Sequence, residues 1–167
     1  YASSIAAFGD QEPGSDRPIN EDDIANPVNV YGMTKAANDF SAGKYIDRFG
    51  MDLRGVRICT VFGHGRVTGM TGMIGGLLVS LPAVGLPVSM PFSPDVPSSM
   101  ICSEDAAEIF VRIALSDRLN HRIYISGGHQ ATVGDMANMV RSFIPDAQIT
   151  MGDRSVPHVY LVDNSRM

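Results

Sequence analysis

"NVYGMTKAAND", residues Asn29–Asp39, sets a tyrosine and a lysine four positions apart, Tyr31 and Lys35, at the start of a stretch with helical periodicity. Met33, Ala36, Ala37 and Phe40 form an apolar stripe, Asn29 is a natural N-cap, and Gly50 stands where a left-handed C′ residue belongs. The spacing predicts a helix from Val30 to Phe49. On such a helix the side chains at i and i+4 share a face. An ammonium beside a phenol favours the phenolate and lowers the tyrosine pKa from about 10, toward values useful for acid/base work. Taken alone, the pair reads either as a catalytic couple or as two ordinary residues on a solvated helix face.

Upstream, "YASSIAAFGD" (Tyr1–Asp10) reads as the end of a strand running into a turn, with Ser3 and Ser4 at its tip. Open α/β sheets bind ligands outside the C-terminal ends of their strands, so a hydroxyl at Ser4 would face that crevice; a plain turn serine is the alternative. "DQEPGSDRPINEDD" (Asp10–Asp23) reads as an exposed acidic loop punctuated by Pro13, Gly14 and Pro18. Downstream, "LRGVRICTVF" (Leu53–Phe62) reads as one buried strand delivering Thr60, Val61 and Phe62 to the same edge. Gly63 and Gly65 follow, and would let backbone approach a bound ring closely.

A helix is expected near residues 71–81, then irregular chain or short strands through Pro87–Ile101. Ser103 can cap a helix from Glu104 to Leu115, followed by a strand over His121–Ser126. Thr132–Asp135 is a capping-box variant opening a helix that ends before Pro145, and Ala147–Met151 is a further strand. Strands alternate with helices, which implies an α/β chain with a partly parallel sheet.

Composition narrows the function classes. With 167 residues, 44% hydrophobic and 19% charged, the chain suits one globular domain. A net charge of −5 argues against nucleic acid or an anionic membrane as partner. The longest apolar region, Met73–Met90, is broken by Pro82 and Pro87 and is too interrupted to span a bilayer. Two cysteines, Cys59 and Cys102, sit in apolar runs and fit a reducing, cytoplasmic setting. The four histidines show no metal-ligand spacing, and no G-x-S-x-G elbow occurs. Met70, Met73, Met90 and Met100 read either as an adaptable binding-site lining or as core.

The ordered set of motifs resembles the extended short-chain dehydrogenase/reductases, and within them the NAD-dependent epimerase/dehydratase family. The pieces are "SSIAAFG", then "YGMTK", then "RICTVFGHG" from Arg57, then "EDAAEIFVRIAL" and "YISGG". The resemblance implies the C-terminal part of a Rossmann-like doubly wound sheet, residues 1–62, with a mainly substrate-binding α/β region over 63–167 from which some elements return to the core. It implies that Ser4 holds the reacting hydroxyl or carbonyl and Tyr31 is the general acid/base. Lys35 would hold the nicotinamide ribose, with Val61 and Phe62 near the nicotinamide. Thr60, His64 and Arg66 are the candidate substrate contacts. The implied cofactor is NAD or NADP, the substrate is carbohydrate-like, and a homodimer through the Tyr31 helix is the assembly to expect. Three positions depart from the family pattern: Thr60 stands for the usual Asn, His64 for Pro, and Phe8 for Tyr.

The family's glycine-rich dinucleotide turn is expected upstream of Tyr1, because the chain opens at a strand end without an initiator methionine. "GHGRVTG" (Gly63–Gly69) imitates that turn, but no acidic residue follows between Gly63 and Met90 to take the ribose. From Ile58 through Val111 the only Lys or Arg is Arg66, sparse for a diphosphate, which favours a sugar acid or hydroxy acid. A non-catalytic dinucleotide-binding regulator, or a segment inactive by itself, are the rival readings.

Overall fold

The computed structural model describes residues 1–12 and 14–167, so Pro13, read above as loop punctuation, lies outside the described residues. The chain divides into two compact units. The first comprises Tyr1–Cys59, Glu104–Gly127 and Pro157–Met167; the second comprises Thr60–Ser103 and Gly128–Val156.

The first unit is built on three parallel strands in the order β1 (Ala2–Ser4), β2 (Gly55–Ile58), β6 (Ile123–Ile125). Ser4 lies opposite Ile58, and Gly55 opposite Ile123. A parallel pair needs a crossover, and β1 reaches β2 through α1 (Val30–Phe49). Asn29 caps α1 by accepting from the Gly32 amide at 2.8 Å, and Gly50 ends it at φ 64°. The return to β6 ends with α4 (Ser103–Leu115), whose Ile109, Phe110 and Ile113 pack with Val56 and Tyr124.

The loop before α1 is largely exposed, as its composition suggests, but Gln11 and Glu21 within it are buried. Gln11 Oε1 accepts from the amides of Tyr160 and Leu161, and its Nε2 donates to the Arg17 and Leu161 carbonyls. Ile19 pairs with Val162 as a single parallel bridge. Glu21 Oε1 accepts from the buried Ile125 amide at 2.8 Å, supplying β6 with a side-chain partner where a fourth strand would supply a backbone one. Composition cannot reveal this, since both partners lie more than a hundred residues away. Glu21→Ala leaves the Ile125 N–H buried and unsatisfied. Loss of about 1–3 kcal/mol is expected, read as a fall in denaturant midpoint at constant m.

The second unit holds β3 (Thr60–Phe62), β5 (Pro97–Cys102) and β7 (His129–Thr132) in one sheet, with β3 and β5 parallel and β5 and β7 antiparallel. A second, two-stranded parallel sheet pairs β4 (Val88–Phe92) with β8 (Ile149–Arg154). Along β4, Val88, Met90 and Phe92 face the core while Ser89 and Pro91 face out. A single helical run passes through α2 (Gly69–Gly72), a π-helical turn (Met73–Leu77) and α3 (Leu78–Ala83). All four methionines in question belong to the core or pack on it, so the core reading holds for Met70, Met73, Met90 and Met100.

The sequence "LRGVRICTVF", expected as one strand, is two. Cys59 interrupts it, its amide donating 3.0 Å to the Ser126 hydroxyl rather than to a neighbouring strand, and the chain exchanges β1 and β6 as neighbours for β5. β7 and its antiparallel pairing were not foreseen either. In α5 (Val133–Phe143) the capping box is complete: Thr132 Oγ1 accepts from the Asp135 amide, and the Asp135 carboxylate accepts from the Thr132 amide and hydroxyl. These bonds hold the Asp135 carboxyl below the usual carboxylate range. Its contribution is therefore present above a pH of about 4 and is lost as pH falls through the lowered folded value. Thr132→Ala is expected to cost about 1 kcal/mol in thermal or denaturant unfolding.

Candidate active site

Ser4, Tyr31 and Lys35 all belong to the first unit. Ser4 ends β1 and caps the following 3-10 turn, Ile5–Phe8: its Oγ accepts from the Ala6 amide at 3.2 Å, and the residue is 7% exposed. A serine hydroxyl keeps its own proton in this arrangement and can still donate it. Tyr31 sits in the first turn of α1 with 55% of its surface exposed. Lys35, one turn on, places Nζ 5.5 Å from the Tyr31 ring centroid and donates 2.9 Å to the Ala2 carbonyl.

Two contacts bracket Ser4 on the α1 side. Lys35 holds the carbonyl two residues before it. Gly32, beside Tyr31, packs on the carbonyl of Ala6 two residues after it, so closely that a Cβ at Gly32 would overlap that oxygen. The helix thus approaches the β1 tip through a residue without a side chain.

Beneath this surface lies a polar cluster that the sequence reading did not find. Arg57, 8% exposed on β2, donates from Nε to Asp39 Oδ2 at 3.0 Å and from Nη1 to the Glu21 carbonyl at 3.0 Å. Its guanidinium lies 4.5 Å from the Phe8 ring centroid. The Tyr1 ring covers Gly55, and burial first, then the Asp39 charge, pushes the Tyr1 pKa up to about 12. Glu21 also meets Arg166 at 3.5 Å. The available signal was a charged residue, Arg57, inside an otherwise apolar strand.

The remaining candidates lie in the second unit. Thr60, Val61 and Phe62 form β3 and are partly buried, whereas His64 and Arg66 are exposed in the loop that follows. Arg66 bonds Thr71 Oγ1 through Nη2. Among the described residues no group of three or more His, Cys, Asp or Glu could hold a metal, and no helix is long and apolar enough to cross a membrane.

Solved structures share this fold. A GalE-like L-threonine dehydrogenase of Cupriavidus necator in its holo form superposes with TM-score 0.88 and 24% identity, over 99% of this chain and 56% of that one. A UDP-glucose 4-epimerase of Thermus thermophilus, complexed with NAD, superposes with TM-score 0.80 and 19% identity, over 98% of this chain and 54% of that one. An uncharacterized epimerase/dehydratase of Staphylococcus haemolyticus is 40% identical over 62 residues, 37% of this chain and 19% of that protein. The chain therefore spans little more than half the length of those solved structures, and its architecture is the corresponding part of a Rossmann-like α/β fold. Residues 1–125 match the model of the NAD-dependent epimerase/dehydratase family, and the chain belongs to that family.

Proposed function

We propose that the chain carries the proton-transfer residues of an NAD-dependent oxidoreductase or epimerase acting at a hydroxyl-bearing or carbonyl carbon of a sugar, nucleotide sugar or sugar acid. Tyr31 exchanges the proton of that hydroxyl as general acid/base. Ser4 donates its hydroxyl proton to the same oxygen, and Lys35 supplies the neighbouring positive charge. The observation that carries the reading is the placement of Lys35 between the Tyr31 ring, 5.5 Å away, and the Ala2 carbonyl at the β1 tip.

The residues present suit a nicotinamide dinucleotide. An ammonium has three donors, and the bond to Ala2 takes one, leaving two for a ribose diol. Lys35 would hold that diol. NAD, when bound, supplies the hydride acceptor and donor. Because the pyrophosphate-binding turn of this family's fold has no counterpart within the chain, the 167-residue chain alone is expected to bind NAD only weakly. Titration followed by tryptophan-free tyrosine fluorescence or calorimetry tests this; tight binding would contradict the division of labour.

A second reading narrows the substrate to a sugar acid or hydroxy acid. It is favoured by Arg66 being the only Lys or Arg from Ile58 through Val111, enough for one carboxylate and few for a diphosphate. Assaying the intact protein with NAD against aldonic and uronic acids in parallel with UDP-sugars separates the two. Turnover of a UDP-sugar alone would remove the narrower reading and leave the broader one.

A further inference from the structure

We propose that Arg57 is a positioning residue for Lys35: by occupying the Asp39 carboxylate, it keeps that carboxylate from drawing Lys35 away from Tyr31. The inference rests on the roles given above to Tyr31 and Lys35. Tyr31, Lys35 and Asp39 follow one another at intervals of four along α1, so their side chains share a face. A lysine and an aspartate at that spacing are close enough to pair. They do not pair here. Lys35 donates to Ala2 O, and Asp39 is held instead through Oδ2 by Arg57.

The Arg57–Asp39 pair is the most buried of the ion pairs among the described residues apart from the Glu21 carboxylate, with side chains 9% and 10% exposed. Asp39 Oδ1 is buried and makes no hydrogen bond of good geometry, although the Tyr1 hydroxyl lies close to the carboxylate. A carboxylate so placed attracts a cation far more strongly than one in water. Arg57 is fixed independently of Asp39, by the Glu21 carbonyl, by the Phe8 ring and by its backbone place in β2, between β1 and β6. A planar, permanently charged guanidinium suits that task better than a mobile ammonium. Take it away, and the nearest cation on the same helix face is Lys35.

The test uses the intact protein and compares Arg57→Gln, Asp39→Asn, the double variant, and Tyr31→Phe. Turnover is measured per folded molecule, and the position of Lys35 Nζ is read from crystal structures. Arg57→Gln is expected to lower kcat by at least about tenfold, a scale set by the sensitivity of turnover to misplaced groups, with Nζ moved from the Ala2 carbonyl to the Asp39 carboxylate. Adding Asp39→Asn removes the competing charge, so the double variant recovers kcat to within about threefold of wild type and Nζ returns to Ala2. If the ion pair only holds the fold together, Arg57→Gln loses stability but keeps its per-molecule kcat and its Lys35–Ala2 bond; that result overturns the proposal. A double variant as impaired as Arg57→Gln overturns it as well. Should Arg57→Gln not fold, Asp39→Asn carries the test by itself: kcat within about threefold of wild type supports the proposal, and a larger drop overturns it. Near-normal turnover in Tyr31→Phe would remove the underlying reading, whereas an inactive Tyr31→Phe beside an unaffected Arg57→Gln removes this proposal alone.

Discussion

Tyr31→Phe in the intact protein is expected to lower kcat by about 10²–10⁴, the usual contribution of a positioned acid/base, while leaving the melting temperature unchanged. The two outcomes separate because the hydroxyl and the ring do different work. The ring is 55% exposed at the start of α1, so the folded state takes little from it that phenylalanine cannot replace. Nor does the substitution disturb the helix, whose first turn is set by Asn29 accepting from Gly32 rather than by Tyr31. What disappears is the titratable oxygen beside Lys35. Steady-state kinetics and a thermal melt on the same sample check both halves. Turnover near the wild-type value would sink the assignment of Tyr31, whatever the family.

Gly32→Ala is the second large effect, and its sign depends on two opposed terms. Alanine in place of glycine inside a helix is ordinarily worth about 1 kcal/mol in its favour. Here the new Cβ would overlap the Ala6 carbonyl oxygen, and it would also come to 3.1 Å from Pro27 Cβ. That oxygen is backbone in the 3-10 turn, and the turn is tied to β1 through the Ser4 cap, so it has no rotamer by which to yield. Overpacking of this kind typically costs about 1–3 kcal/mol, so a net loss of stability is expected. The effect on turnover is larger. Relief requires α1 to shift away from the β1 tip, carrying Tyr31 and Lys35 with it, and a displacement of about 1 Å at a reacting group can cost about a hundredfold. A variant as active as wild type would show that the approach of α1 to Ser4 does not govern the chemistry.

Local patterns were legible where the deciding contacts are local. Helix α1 was readable to the residue because both of its ends are set by neighbours: Asn29 at one, Gly50 in left-handed conformation at the other. The Thr132–Asp135 box was readable for the same reason. The α/β class followed from the alternation of elements, and the three candidate residues Ser4, Tyr31 and Lys35 followed from motif order. What stayed hidden depends on distant partners. Nothing near Cys59 announces that a continuous apolar run will stop pairing with β1 and β6; the cause is a serine hydroxyl at residue 126. The burial of Gln11 and Glu21 inside an acidic stretch is decided by residues 125, 160 and 161. The Arg57–Asp39 pair spans two elements, and although a charge inside an apolar strand marks Arg57, nothing near Asp39 in the sequence names it as the partner.

The bridge between Ile19 and Val162 bears on the order in which the polypeptide can mature as it is synthesised. Gln11 and Ile19 meet partners at residues 160 to 163, so these long-range hydrogen bonds can form only after those residues have been made. The segments of the second unit, by contrast, end at Val156. Domains usually mature from the N-terminus forward during translation. Here Gln11 and Ile19 must wait for residues 160 to 163, whereas β1, which carries Ser4, can pair as soon as β2 (Gly55–Ile58) has been made.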